Sequence, residues 1–153
     1  MRLYILRHAE AFDATPGERD VDRELTPKGH AQAATVAGAF SARRAPCEIS
    51  PQVIRSSPAP RAWATAAAVA AALGLTVERE EGVSLRADLD DALRLIHDLA
   101  SEFDAAMIVG HNPTLSELAY RLCATGDVRK AECVVVDWTP SEKTARELAR
   151  FRG

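Results

Sequence analysis

An arginine–histidine pair, Arg7-His8, follows the apolar run Leu3-Tyr4-Ile5-Leu6, where a buried strand should be ending. A second histidine, His111, leaves the apolar run 106–109 in the stretch VGHNPTL, and Arg61 stands in RSSPAPRAWATA, just after the run 52–55. An uncharged imidazole is a nucleophile, and a guanidinium is a flat fork whose donors match pairs of phosphate oxygens. Two imidazoles and two guanidiniums gathered within a few ångströms repel one another unless an anion sits among them. A phosphoryl group meets that requirement. His8 is therefore expected to be the nucleophile, with Arg7, Arg61 and His111 clamping the equatorial oxygens during in-line transfer.

Such a cluster needs a scaffold that brings distant segments to one edge. Apolar, β-rich runs near residues 2–6, 52–55, 76–79, 106–109 and 132–138 alternate with helical patterns, which predicts a three-layer α/β/α sandwich around a mainly parallel sheet. In such sheets ligands bind beyond the carboxyl ends of the strands, where helix N-termini present free N–H groups. Arg7-His8, Arg61 and His111 all fall at predicted exits of that kind.

Helix signals support the alternation. Thr26-Pro27 reads as an N-cap with proline at the first helical position and Leu25 as a staple, opening a helix that runs to about Phe40. Ser57-Pro58 repeats the device, which would set Arg61 one turn inside the helix. Ala62, Ala66, Val69 and Leu73 keep helical spacing until Gly74 stops it. Asp88 is placed to cap a third helix whose Leu89, Leu93, Ile96, Ala100 and Phe103 form one apolar face, and Asn112-Pro113 opens a fourth, to about Cys123. Residues 12–24 are charged, carry Pro16-Gly17 and lack periodicity. They read as a surface loop, either a lid over a site or an excursion without function. Near the C-terminus, Thr139-Pro140-Ser141-Glu142 resembles a capping box, while residues 146–151 read equally as helix or short edge strand.

Length and charge set outer limits. At 153 residues, with 47% hydrophobic and 27% charged residues, the chain is expected to form one domain over residues 1–153. A net charge of -3, with cations scattered among carboxylates, argues against a nucleic-acid or anionic-membrane binder. Cys47, Cys123 and Cys133 are odd in number and widely spaced, so small buried thiols are expected, not a disulfide framework or a zinc site. No window approaches a membrane span, and a cytoplasmic protein is expected. His30 and His97 lie within helical patterns and are read as ordinary helix residues. No histidine spacing suggests a metal site, and no cofactor is called for.

Taken singly, each motif has a plainer reading: a charged strand end, a turn before a capped helix, a solvated helix arginine. Together they resemble a known family. LRHAEA is similar to the RHG motif of the histidine phosphatase superfamily, SSPAPRAWATA to its SPxxRAxxTA segment, VGHNPTL to its second-histidine motif, and DRELTPKG to the segment that opens its first long helix. The similarity spans residues 2 to about 122, and the short chain resembles the SixA-type phosphohistidine phosphatase branch. The resemblance implies a phosphoglycerate mutase-like fold, a phosphohistidine intermediate on His8 and a metal-free phosphate pocket of Arg7, Arg61 and His111. It also carries Arg23 over as a residue near substrate.

The sequence departs from the family in two places. Ala9 replaces the glycine after the nucleophile, adding a methyl. Where mutase-like members have a carboxylate after the third strand, EEGVSLRAD offers Ser84, with Glu80, Glu81 and Asp88 nearby. Glu10 is a further candidate acid, and the absence of any acid is also open. A phosphoramidate leaving group carries its own basic nitrogen and needs less help than an alkoxide, which favours phosphohistidine, on a protein partner, over phosphate esters. Two alternatives fit the same residues: a phosphatase of small-molecule esters, and a phosphate-binding regulatory module without turnover.

Overall fold

The computed structural model describes residues 1–41 and 49–153; the expectation for Cys47 falls outside them. Six strands form one sheet: β1 (Arg2–Arg7), β2 (Val53–Ser56), β3 (Val77–Arg79), β4 (Ala105–Gly110), β5 (Glu132–Asp137) and β6 (Arg146–Arg152). Their order is β3-β2-β4-β1-β5-β6. The β3, β2, β4 and β1 neighbours are parallel, and β5 and β6 add on antiparallel. The sheet is thus mixed, with its parallel part at the expected site.

Alternation along β1 divides the core. Leu3 and Ile5 pack on one face beneath α3 (Leu89–Glu102) and α4 (Thr114–Cys123), while Tyr4 and Leu6 face α1 (Pro27–Ser41) and α2 (Pro60–Leu73). Strand β4 is buried along its whole length, as a central parallel strand covered on both faces must be. Each large aliphatic side chain enclosed there contributes roughly 1.5–3 kcal/mol.

Register sets the site. Arg7 pairs with Gly110 and Ser56 with Val109, so β1, β4 and β2 end level with one another. The residues just beyond stay tied to the central strand: His8 N–H donates to Gly110 O at 3.1 Å and Ser57 N–H to Val109 O at 2.9 Å.

Several expected boundaries moved. Helix α1 is capped as expected, Gly29 N–H donating to Thr26 Oγ1 at 2.9 Å. Helix α2 begins at Pro60, not Pro58, with Ala59 at its cap. Ser57 is not the cap: its amide still belongs to the sheet, and its hydroxyl, which faces His111, accepts from the cap residue itself, Ala59 N–H, at 3.3 Å. Arg61 is accordingly the second helical residue. Helix α4 starts at Thr114; the side chain of Asn112 instead donates to Asp127 Oδ1 at 3.1 Å and to Val128 O at 3.0 Å. Asp88 does cap α3, in a reciprocal capping box with Asp91. The buried stripe of that helix is Ala92, Leu95, Ile96 and Leu99, and the expected Leu89, Leu93, Ala100 and Phe103 only flank it. An apolar arc this wide holds two overlapping stripes, and the neighbouring sheet decides which is central. Gly74 ends α2 in the left-handed region, at φ 69°.

The C-terminal ambiguity resolves as strand. Residues 146–152 pair with β5 as an edge strand, and the 139–142 segment opens no helix. Cys133 is buried and Cys123 half-buried. Among the described residues no helix is long and apolar enough to cross a membrane, and no group of three His, Cys, Asp or Glu side chains is placed to hold a metal ion.

Candidate active site

The three level strand ends deliver His8, His111 and Ser57 to one edge, and α2 brings Arg61 over them. His8 and His111 are 6% and 3% exposed, and their ring centroids lie 5.0 Å apart. The Nδ1 of His8 lies 2.7 Å from its neighbour's carbonyl, Ala9 O. A carbonyl only accepts, so Nδ1 carries the proton and the lone pair is left on Nε2. Burial, with Arg61, Arg7 and Arg23 nearby, pushes His8 down to about 4 despite the favourable bond to Ala9 O. The ring is neutral at pH 7, as a nucleophile must be.

Arg61 is the least usual side chain in the molecule: a guanidinium only 1% exposed. Its Nη1 donates to Asp20 O at 2.7 Å and its Nη2 to Asp20 Oδ2 at 3.0 Å. The other carboxylate oxygen of Asp20 lies 2.8 Å from Arg23 Nη2. Asp20 sits on a short 3-10 turn (Asp20–Asp22) within the 12–24 loop, so that loop folds over the site and Asp20 ties it to α2. Burial works to raise the Asp20 carboxyl, but Arg61 and Arg23 outweigh it and hold the group below its ordinary value. Arg7 is anchored from the far side, Nη1 donating to Val128 O at 3.0 Å.

Among the described residues, four buried nitrogens here have no hydrogen-bond partner: Arg7 Nε, Arg23 Nε, Arg61 Nε and His111 Nδ1. Buried polar groups are nearly always paired, and an orphaned donor costs about 1–3 kcal/mol. Three of them belong to residues that the sequence places around one anion, and the fourth to Arg23, which the family resemblance sets near substrate. The carboxylates that reach them are Asp20, and Asp127, which lies near enough to Arg7 to oppose the effect of its burial.

The candidate acids fare differently. Glu10 is paired with Lys28 at 3.1 Å and bonded to Thr26, and the Lys28 hydrogen bond holds its carboxyl below the ordinary value. Glu80 accepts from Gly82 N–H and Asp88 from Asp91 N–H, so both serve backbone turns. Glu81 and Ser84 do line a cavity of about 420 Å³ beside the cluster, together with Asp20, Val21, Leu85 and Arg86. His30 is exposed on α1, and His97 packs edge-on against Trp138 at 4.8 Å, both away from the site.

Sequence reasoning missed three residues. Asp20 lay in a loop with no periodic signal. Ser57 was read as a helix cap. Thr65, one turn after Arg61, accepts from Ala9 N–H at 3.0 Å and donates to Arg61 O at 2.7 Å. Ala9 is fully buried against that side of the site, so the methyl that departs from the family pattern is accommodated. The threonine stands inside SSPAPRAWATA, four residues after Arg61, but nothing local marks it as the residue that locks the loop after His8 to the arginine helix.

A mixed sheet between two helical layers, with arginines and histidines collected where its parallel strands end, defines the phosphoglycerate mutase-like class. The family model of the histidine phosphatase superfamily (branch 1) matches residues 3–87, and the chain belongs to that superfamily. Among solved structures it is similar to a SixA protein from Agrobacterium tumefaciens, provisionally assigned as a phosphohistidine phosphatase. That pair is 31% identical with TM-score 0.81, over 98% of this chain and 96% of the other. It shares its fold with the protein histidine phosphatase SixA complexed with tungstate, at 21% identity and TM-score 0.84 over 99% and 97% of the two chains. A mycobacterial glucosyl-3-phosphoglycerate phosphatase also shares the fold, at 18% identity and TM-score 0.72 over 95% and 96%. No curated protein matches the chain significantly. Family and neighbours together support a phosphatase.

Proposed function

We propose that the protein hydrolyses phosphoramidates, protein phosphohistidine foremost, through a phosphohistidine intermediate on His8. The observation that carries this reading is the set of four buried nitrogens, without partners among the described residues, around a neutral imidazole. The lone pair on His8 Nε2 attacks phosphorus, the Nε2–P bond forms, and the bond from phosphorus to the leaving nitrogen breaks. Arg7, Arg61, Arg23 and His111 hold the three equatorial oxygens as charge builds on them. Water then attacks phosphorus, the new O–P bond forming as the P–Nε2 bond breaks, so that orthophosphate leaves and the lone pair returns to Nε2.

The leaving group supports a phosphoramidate over an ester. Asp20 is held as a carboxylate by two arginines, and Glu10, Glu80 and Asp88 are committed to other partners, which leaves Glu81, on the cavity wall, as the remaining candidate acid. A leaving imidazole accepts a proton on its own nitrogen, whereas an alkoxide needs an acid. Two lines support a histidine-phosphorylated protein as the partner: the 31% identity to the Agrobacterium protein, and a cavity beside the cluster whose walls include exposed Val21 and Leu85.

Rapid quench with phosphoramidate as donor, followed by mapping of the acid-labile phosphate, tests the mechanism. Label is expected on His8 and absent in His8→Ala. Arg61→Ala should slow turnover by roughly 10²–10³, as for loss of a preorganised oxyanion donor. Label on another residue would overturn the mechanism, and faster turnover of sugar phosphates than of phosphoramidates would overturn the substrate class.

A further inference from the structure

We propose that Ser57 is the positioning residue that fixes the tautomer of His111, donating its hydroxyl proton to Nε2 so that Nδ1–H points at the phosphoryl group. The inference rests on the phosphate-site reading above and concerns how one of its donors is made.

The geometry is a count of protons. Ser57 is fully buried, and its Oγ lies 2.8 Å from His111 Nε2. The same oxygen accepts a proton from Ala59 N–H at 3.3 Å. Its own proton therefore needs an acceptor, and among the described residues the hydrogen bonds of Ser57 Oγ offer one, His111 Nε2. Were the bond reversed, with Nε2–H donating, the hydroxyl proton would be left without a partner among the described residues. The opposite ring nitrogen, Nδ1, would then face the site as a lone pair directed at phosphate oxygens, which is repulsive.

With Ser57 as donor both difficulties vanish. The His111 ring is neutral, held down to about 2 by burial first and by His8 and the three arginines after it. A neutral ring has one N–H to offer, and its place is set by whatever bonds the other nitrogen. Nδ1 of His111 is buried and without a partner among the described residues, so the tautomer chosen by Ser57 makes it a donor to substrate. The tie is firm because Ser57 N–H is bonded to Val109 O at 2.9 Å, one residue before the end of the strand that leads into His111.

Long-range ¹H–¹⁵N correlation spectra of the full chain with ¹⁵N-labelled histidine, at pH 7, read the tautomer directly. The wild-type protein is expected to show His111 protonated on Nδ1; protonation on Nε2 overturns the proposal without recourse to any variant. In Ser57→Ala the Nε2–H form should become populated and orthophosphate should bind about tenfold more weakly, in line with losing an orienting partner behind a ligand-facing histidine. Ser57→Thr, which keeps the hydroxyl, should restore the wild-type spectrum. An unchanged tautomer and unchanged orthophosphate affinity in Ser57→Ala would also overturn it. Failure of His8 to become phosphorylated would remove the phosphatase reading and leave the tautomer assignment intact, so the two can fail separately.

Discussion

The imidazoles of His8 and His111 face one another at 5.0 Å between centroids, tilted by 53°, and His8 is among the groups that lower the tendency of His111 to take up a proton. Both are neutral at pH 7. Each is committed on one nitrogen, His8 to Ala9 O and His111 to Ser57 Oγ, which leaves the remaining nitrogens free for chemistry.

A first prediction concerns acid. His8 is held down to about 4 and His111 to about 2, in both cases chiefly by burial, whereas an unfolded histidine titrates near 6.5. Below that value the unfolded chain binds protons that the native state refuses. Stability contributed by keeping these rings neutral is thus complete above about pH 6.5. It is lost as pH falls towards 4 for His8, with His111 continuing to about 2. His8 alone should account for about 3 kcal/mol between those limits. Urea midpoints measured from pH 7 to 4 should fall in the wild type and fall less steeply in His8→Gln; parallel curves would refute the assignment.

Removing the Asp20 carboxylate should strengthen anion binding. Its two oxygens engage Arg61 and Arg23, the same guanidiniums that a phosphate would draw upon, and like charges near one site compete. Asp20→Asn keeps the backbone carbonyl that accepts from Arg61 Nη1. Titration calorimetry with orthophosphate should show several-fold tighter binding. Weaker binding would mean that the carboxylate serves to aim the arginines.

Two glycines of the same helix should respond in opposite directions. A Cβ at Gly29 would lie 1.9 Å from Glu10 O, whereas at Gly38 it would meet nothing within 4 Å. Gly29→Ala must push α1 off the loop that follows His8, at a cost of about 1–3 kcal/mol or more, with reduced turnover because that loop moves. Gly38→Ala, on an exposed helix position, should stabilise by about 0.5–1 kcal/mol. Thermal unfolding of the pair decides both.

The amide of Ala9 gives a fourth test. It is buried and donates to Thr65 Oγ1 at 3.0 Å. Thr65→Ala orphans it, for about 1–3 kcal/mol of stability, and loosens the link between the loop after His8 and the Arg61 helix. Turnover should fall while orthophosphate affinity changes little; an unaltered melting temperature would contradict the bond.

How much of this was legible beforehand follows from range. The nature of the site was written locally: an arginine–histidine pair after Leu3-Tyr4-Ile5-Leu6, a second histidine after another apolar run, an arginine behind a proline-led helix start. Hydrophobic period and cap residues act within a few positions, so they located the strands, the α1 and α3 caps and the Gly74 stop. What they could not settle depended on partners distant in the chain. Helix α2 starts late because Ser57 is held by the sheet and by His111. The stripe of α3 is chosen by what packs beneath it, and residues 146–152 are a strand because β5 offers an open edge. Asp20 joins the site only because its loop folds back onto Arg61. The sequence by itself determined which side chains could hold a phosphoryl group. Only the tertiary structure decided their aim and protonation, because burial and the partner on the far ring nitrogen set both.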